Sequence, residues 1–331
     1  MHAELVVPGL FASAAAARLP AAELLLARGR CSSGPSQTLE AWLEEAFGLE
    51  DGPLAAGALT LLAAGGEAPG DGWARADPVH LRLMRDRLVL VPPEALRITG
   101  EEAEALARAL DAHFGERCHL QIIDPQRWVA RLPAAIEAAN EPPLALAGRD
   151  VATALPSAAA SAVHQLLNEA QMVLHSLAVN EAREARGEPP VNSLWFWGAG
   201  AAPGGASAPW QSLSAADPVA LGLARASGIR ARAAAAGAEA WLDRLPQEGR
   251  HLAVLDELRV PLALSEAGEY QDALARLERD WFAPLLARLR EGRIGMVTIY
   301  VPDAGECVAV ETIRGDLRRF WRRPKALERY A

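Results

Sequence analysis

The sequence predicts an α/β fold with a central, mostly parallel sheet and helices on both faces. Three observations predict it. Short apolar runs of strand length alternate with stretches of helical period along the chain. Gly and Pro clusters punctuate the changes of period. A chain of 331 residues, 51% of them hydrophobic, has enough apolar side chain for a sizeable core.

The elements follow in order. Residues 4–7, Glu-Leu-Val-Val, read as a short buried strand stopped by Pro8-Gly9. Residues 20–29 place apolar side chains at helical spacing. Gly34-Pro35-Ser36 breaks the chain, and Ser36 is a cap for a helix from Leu39. One short helix is expected within the Gly-, Ala- and Pro-rich stretch 51–72. Residues 87–91 read as a strand before Pro92-Pro93. Thr99 and Glu102 have capping-box spacing, so a helix spans 100–114. His119 to Ile123 is the next strand. The longest helical pattern, 157–186, ends at Gly187 and Pro189-Pro190. A strand at 193–197 with bulky side chains is closed by Gly198-Ala199-Gly200. Helices are expected at 217–227, 233–243 and 268–291. Strands are expected at 251–255, 296–301 and 306–311.

Charge and cysteine usage narrow the function. The net charge is −9, which argues against general nucleic-acid binding, because that needs basic surface to neutralise phosphates. Cys31, Cys118 and Cys307 are odd in number and far apart, so free thiols in a reducing cytosol are expected. No apolar run reaches about 18 residues, which predicts no membrane span. The start, Met1-His2-Ala3-Glu4, lacks the basic region of a signal peptide. A cytoplasmic location is the expectation.

The segment from Asn168 to Gly200, NEAQMVLHSLAVNEAREARGEPPVNSLWFWGAG, carries the most information. Asn180, Arg183, Gly187, Asn192, Trp197, Gly198 and Gly200 resemble the pattern of archaeal-type cofactor-independent phosphoglycerate mutases, in the alkaline phosphatase superfamily. Ile98-Thr99-Gly100-Glu101-Glu102-Ala103 resembles that family's helix start, and Arg127-Trp128 stands where it has an Arg-His pair near substrate. DPVHL at 77–81, the NEAQM run and FWRRP at 320–324 are similar to a bacterial subgroup of RpfE-type regulatory proteins. The resemblance implies an alkaline-phosphatase-like core formed by 1–75 and 156–331, with a smaller α/β lid-like insertion at 76–155. It also implies a ligand edge at the loops after Val7, Trp197 and Tyr300.

The resemblance further implies two manganese or zinc ions held by Asp and His, with a Ser or Thr nucleophile. The residues depart from that. Val7-Pro8-Gly9 lacks the expected Asp. Gly34-Pro35-Ser36-Gln37 keeps Ser36 as the hydroxyl, but its acidic neighbour is Gln37. No histidine follows His251, so Asp256 and Asp303 remain as remnants of the ligand set. No cofactor is therefore expected, and the implied reading is a degenerate mutase-like protein with a regulatory or ligand-sensing role. The alternative keeps both ions and makes Ser36 the nucleophile of an active mutase or phosphatase.

Other residues read two ways. Arg127, Asn180, Arg183 and Asn192 are candidates to bind a small phosphorylated or carboxylate ligand, since the Arg fork matches such groups. Asn180, Arg183 and Asn192 also suit a tie between a helix end and the next strand, the favoured reading. Trp195 and Trp197 read as core rather than a stacking platform. Residues 314–325, RGDLRRFWRRPK, suit an acidic protein partner. The plainer reading is a C-terminal helix that buries Leu317, Phe320 and Trp321 while its arginines snorkel.

Overall fold

The structure, a computed structural model, describes residues 1–12, 18–49, 54–85, 87–132, 141–152, 154, 162–303 and 308–330. The chain opens with β1 (His2–Val6), α1 (Pro20–Arg28), β2 (Arg30–Ser32) and α2 (Leu39–Ala46). Next come α3 (Ala56–Ala63), β3 (Trp73–Met84), β4 (Arg87–Val91), α4 (Pro93–Leu96) and α5 (Gly100–Phe114). Then follow β5 (His119–Asp124), β6 (Arg127–Arg131), α6 (Ala162–His175), α7 (Ala178–Ala185) and β7 (Ser193–Gly200). Beyond them lie β8 (Ser212–Ala215), α8 (Pro218–Ala226), β9 (Arg230–Ala233), α9 (Ala238–Leu242), β10 (Arg250–Val254) and α10 (Arg259–Ala263). The last elements are α11 (Ala267–Leu277), α12 (Ala283–Glu291), β11 (Met296–Tyr300) and β12 (Ala309–Ile313).

These form two compact units, Met1–Glu50 with Gly205–Ala331, and Asp51–Gly204. The first holds a seven-stranded sheet in the order β2-β12-β11-β1-β10-β8-β9. The five strands from β11 to β9 run parallel, and β12 is antiparallel to β11. This is the mixed α/β, mostly parallel arrangement expected. Leu5 and Val6 of β1 are fully buried, as a strand flanked on both sides by parallel partners requires. The core also takes Trp241, Tyr270, Trp281 and Phe282 from the helices that follow β9.

The second unit is built on a five-stranded sheet in which β3 pairs antiparallel with β4, β6 and β7. Leu106, Leu110 and Phe114 of α5 pack with Leu166 and Leu174 of α6 around Trp128 and Phe196. The capping box is present: Thr99 accepts from the Glu102 amide and Glu102 from the Thr99 amide. Buried Asp77 joins three elements. It accepts from Arg75, from the Trp128 amide and, at 2.7 Å, from Trp197 Nε1. Trp195 and Trp197 are core residues, 1% and 4% exposed.

The second unit spans Asp51–Gly204, and its β7 pairs with β3. Several expectations need correction. The helix expected over 157–186 is two helices among its described residues. Asn180 Nδ2 donates to the Leu174 carbonyl at 2.8 Å and closes α6 there. Ala-rich 233–243 yields only α9, since 230–233 pairs with β8 instead. The helical stretch 267–291 carries a π turn at Glu278–Phe282, just before Pro284, whose missing amide suits such a turn. The expected C-terminal helix is absent: Phe320 and Trp321 are 77% and 66% exposed. Arg319 and Arg322 donate to the carbonyls of Arg28 and Gly29, which holds the segment against the end of α1 in a non-helical path. Cys31 is disulfide-bonded, not a free thiol. Cys118 is free and buried, and burial pushes its thiol up to about 12. Cys307 lies outside the described residues. Among the described residues no helix is long and apolar enough to cross a membrane.

Candidate functional site

Because β11, β1, β10, β8 and β9 are parallel, their C-terminal ends share one edge, where sheets of this class place ligands. The turns leaving β1, β8, β10 and β11 carry Gly9, Asp217, Asp256 and Asp303. Arg259 enters this edge as the first residue of α10, its side chain 18% exposed. Its Nη2 donates to Glu40 Oε1 at 2.6 Å. Burial alone would lower its pKa. The fields of Glu40, Asp217 and Asp256 outweigh that and raise it.

The carboxylates are also tied locally. Asp217 caps α8 by accepting from the Ala220 amide at 2.8 Å. Asp303 Oδ2 accepts from the Gly9 amide at 2.7 Å. Burial pushes the Asp303 carboxyl above its ordinary range, against the pull of that amide and of Arg259. Gly9 sits at φ +82°, and a side chain there would press to 3.3 Å from Leu262. Ser36 is exposed beside them, and its Oγ donates to the Asp303 main-chain oxygen at 3.1 Å. A carbonyl accepts this bond without being basic, so the contact does not activate the hydroxyl.

A pair of manganese or zinc ions needs clustered carboxylate and imidazole donors. His251 on β10 is committed elsewhere: Nδ1 meets Ser212 Oγ at 2.9 Å and Nε2 meets the Glu248 carbonyl at 3.0 Å. Among the described residues, no group of three or more His, Cys, Asp or Glu is placed to hold a metal ion. The acidic edge faces a guanidinium, and its donor set does not fit a metal pair.

Over the same sheet lies a cleft of about 500 Å³ walled by Gln37, Trp42, Trp210, Arg250 and Tyr300. Glu4 on β1, fully buried, accepts from Arg250 Nε at 2.6 Å and from Tyr300 Oη at 3.0 Å. Burial would raise the Glu4 pKa. Arg250, Trp210 and His2 together hold it below its ordinary value.

The remaining sequence candidates lie in the second unit, apart from Ser36, Asp256 and Asp303 in the first. Asn180 is closed on backbone: Nδ2 reaches the Leu174 and Val191 carbonyls, and Oδ1 accepts from the Val191 amide. Arg183, 1% exposed, donates to the Pro189 and Leu96 carbonyls and to Glu102 at 2.7 Å. Asn192 makes both bonds of a strand partner with Leu81. Arg127 pairs with Asp124 across a tight β5–β6 turn. Sequence reasoning missed Arg259, Glu40 and the Glu4–Arg250–Tyr300 group. For Glu4 a signal existed, a charge inside an apolar strand. For Arg259 only its place shortly after Asp256 pointed there.

No protein-family model matches the chain, and no curated protein does. Among solved structures, the PH0037 protein from Pyrococcus horikoshii superposes with a TM-score of 0.58 at 15% identity, covering 94% of this chain and 86% of that one. A cofactor-independent phosphoglycerate mutase from Thermoplasma acidophilum gives 0.43 at 17% identity, covering 95% and 90%. The first likeness shows a shared fold.

Proposed function

We propose that this chain is a degenerate phosphoglycerate-mutase-like protein on an alkaline-phosphatase-like scaffold, akin to RpfE-type regulators. In this reading the metal pair is lost, and the role is regulatory or ligand-sensing in a bacterial cytosol. One observation carries it: Arg259 stands among Glu40, Asp217, Asp256 and Asp303 at the carboxyl edge of the parallel strands. A single fixed cation there offsets the carboxylates and supplies no Lewis acid and no open coordination position. The motif resemblance at 168–200 supports the family assignment.

The test is elemental analysis of the protein purified with manganese and zinc, with mutase and phosphatase assays on the parent and on Ser36→Ala. The expected result is no stoichiometric metal and no turnover. Two tightly held ions, with turnover that Ser36→Ala abolishes, would overturn the reading.

A further inference from the structure

A second concave site lies at the C-terminal end of α1, where the segment 319–330 folds back. It is a cleft of about 750 Å³ lined by Arg30, Arg322, Arg323, Lys325, Arg329 and Trp321, with no carboxylate in its lining among the described residues. In a chain of net charge −9 this is a local reversal of sign. Arg30, Arg323, Lys325 and Arg329 are exposed and form no ion pair with the described residues. Arg30 stands opposite Glu311 in the β2–β12 register, and the other three cations lie on solvent-exposed surface.

The segment is held firmly. Arg322 Nη1 donates to the Gly29 carbonyl at 2.7 Å and Arg319 Nη1 to the Arg28 carbonyl at 3.1 Å. Arg28 in turn donates to the Leu317 carbonyl. These guanidiniums meet the negative end of the α1 dipole. Leu327 is buried, and Tyr330 stacks on Phe11 at 5.6 Å. The backbone that carries Arg323, Lys325 and Arg329 is therefore held in place, which reduces part of the ordering cost of binding.

Phe320 and Trp321 are the two most exposed aromatic side chains among the described residues. They meet edge to face at 5.3 Å, so each ring braces the other. Trp321 also lines the cleft, a flat apolar surface beside a row of cations. Tyr330 Oη, at the same wall, is buried without a hydrogen-bond partner.

We propose that this cleft binds a nucleoside di- or triphosphate, with the base on Trp321 and the phosphates on Arg30, Arg323, Lys325 and Arg329. Arginine forks match phosphate oxygens, and an exposed indole is a stacking surface for any base. The cleft's size suits one such molecule rather than an extended strand or peptide. This site is separate from the carboxyl edge, and the proposal holds whether or not the reading of that edge does.

The test is calorimetric titration of the full chain with ATP, ADP, adenosine and tripolyphosphate. ATP and ADP should bind one to one, and more weakly as salt rises from about 0.05 to about 0.3 M. Adenosine should give no measurable binding. Arg323→Glu with Lys325→Glu should weaken ATP by about tenfold or more. Trp321→Ala should weaken ATP by about tenfold and leave tripolyphosphate unchanged. Both positions are exposed, so folding is not at stake. The absence of saturable ATP binding overturns the proposal, as does an unchanged affinity in the double variant. Equal affinities for ATP and tripolyphosphate would reject the stacking role. Tighter binding of single-stranded RNA or an aspartate-rich peptide than of ATP would reject the ligand class.

Discussion

At the 180–192 corner of the second unit the polar side chains close mainly on the chain's own backbone, whereas at the carboxyl edge of the first a buried guanidinium is held among carboxylates that also cap backbone amides. Asn180, Arg183 and Asn192 meet carbonyls and amides left open by helix ends and strand starts. Arg259 pairs with Glu40 and lies in the field of Asp217, Asp256 and Asp303. At the corner Asn180, Arg183 and Asn192 are engaged by backbone groups and, for Arg183, by Glu102. At the edge one guanidinium faces four acidic groups, so removing it leaves their mutual repulsion unopposed. The residues of the 180–192 corner thus serve architecture in this chain.

Arg183→Met should break this comparison hardest. It leaves Glu102 and two carbonyls without their buried partner, and should cost about 3–5 kcal/mol in urea denaturation. Arg259→Gln should cost about 1–3 kcal/mol at pH 7, and less at pH 5, where carboxylates begin to protonate and repel less. An equal loss at both pH values would mean that Arg259 is not balancing charge. Asn192→Ala should cost about 1–2 kcal/mol through its two bonds to Leu81.

Acid should sharpen the contrast more gently. Burial lowers the pKa of His80 in one unit and of His251 in the other below 6.5. Both are neutral when folded and protonate more readily when unfolded. Their contribution is complete above pH 6.5 and is lost as pH falls through the depressed folded values. His251→Gln should flatten the stability profile just below pH 6.5, measured by thermal melts across that range. The smallest change belongs to Phe320→Ser, within about 0.5 kcal/mol, because the ring is 77% exposed.

Much of the fold was legible because its elements carry local signals. The Thr99–Glu102 box set the start of α5, and the apolar runs before Pro92 and after Arg250 marked β4 and β10. What escaped depends on distant partners. β3 contains Pro78, which argues against a strand, yet β4, β6 and β7 supply its pairing. The helix expected over 233–243 shortens to Ala238–Leu242, and β9 at Arg230–Ala233 is fixed by its pairing with β8. Of the site, Ser36 and Asp303 were named from sequence and do meet. Arg259 was not, because a single arginine has no spacing by which to recognise it.

The pairing of β1 bears on synthesis. Glu4 lies opposite Leu252 on one side and Thr298 on the other, so the first strand made must wait for nearly the last. Every strand of the 51–204 unit, by contrast, has been translated by Gly200. On the ribosome the inner unit can mature while the N-terminal segment stays open. A nascent chain stalled with residue 204 clear of the exit tunnel should resist protease across β3 and be cut near β1; protection of both would refute this order.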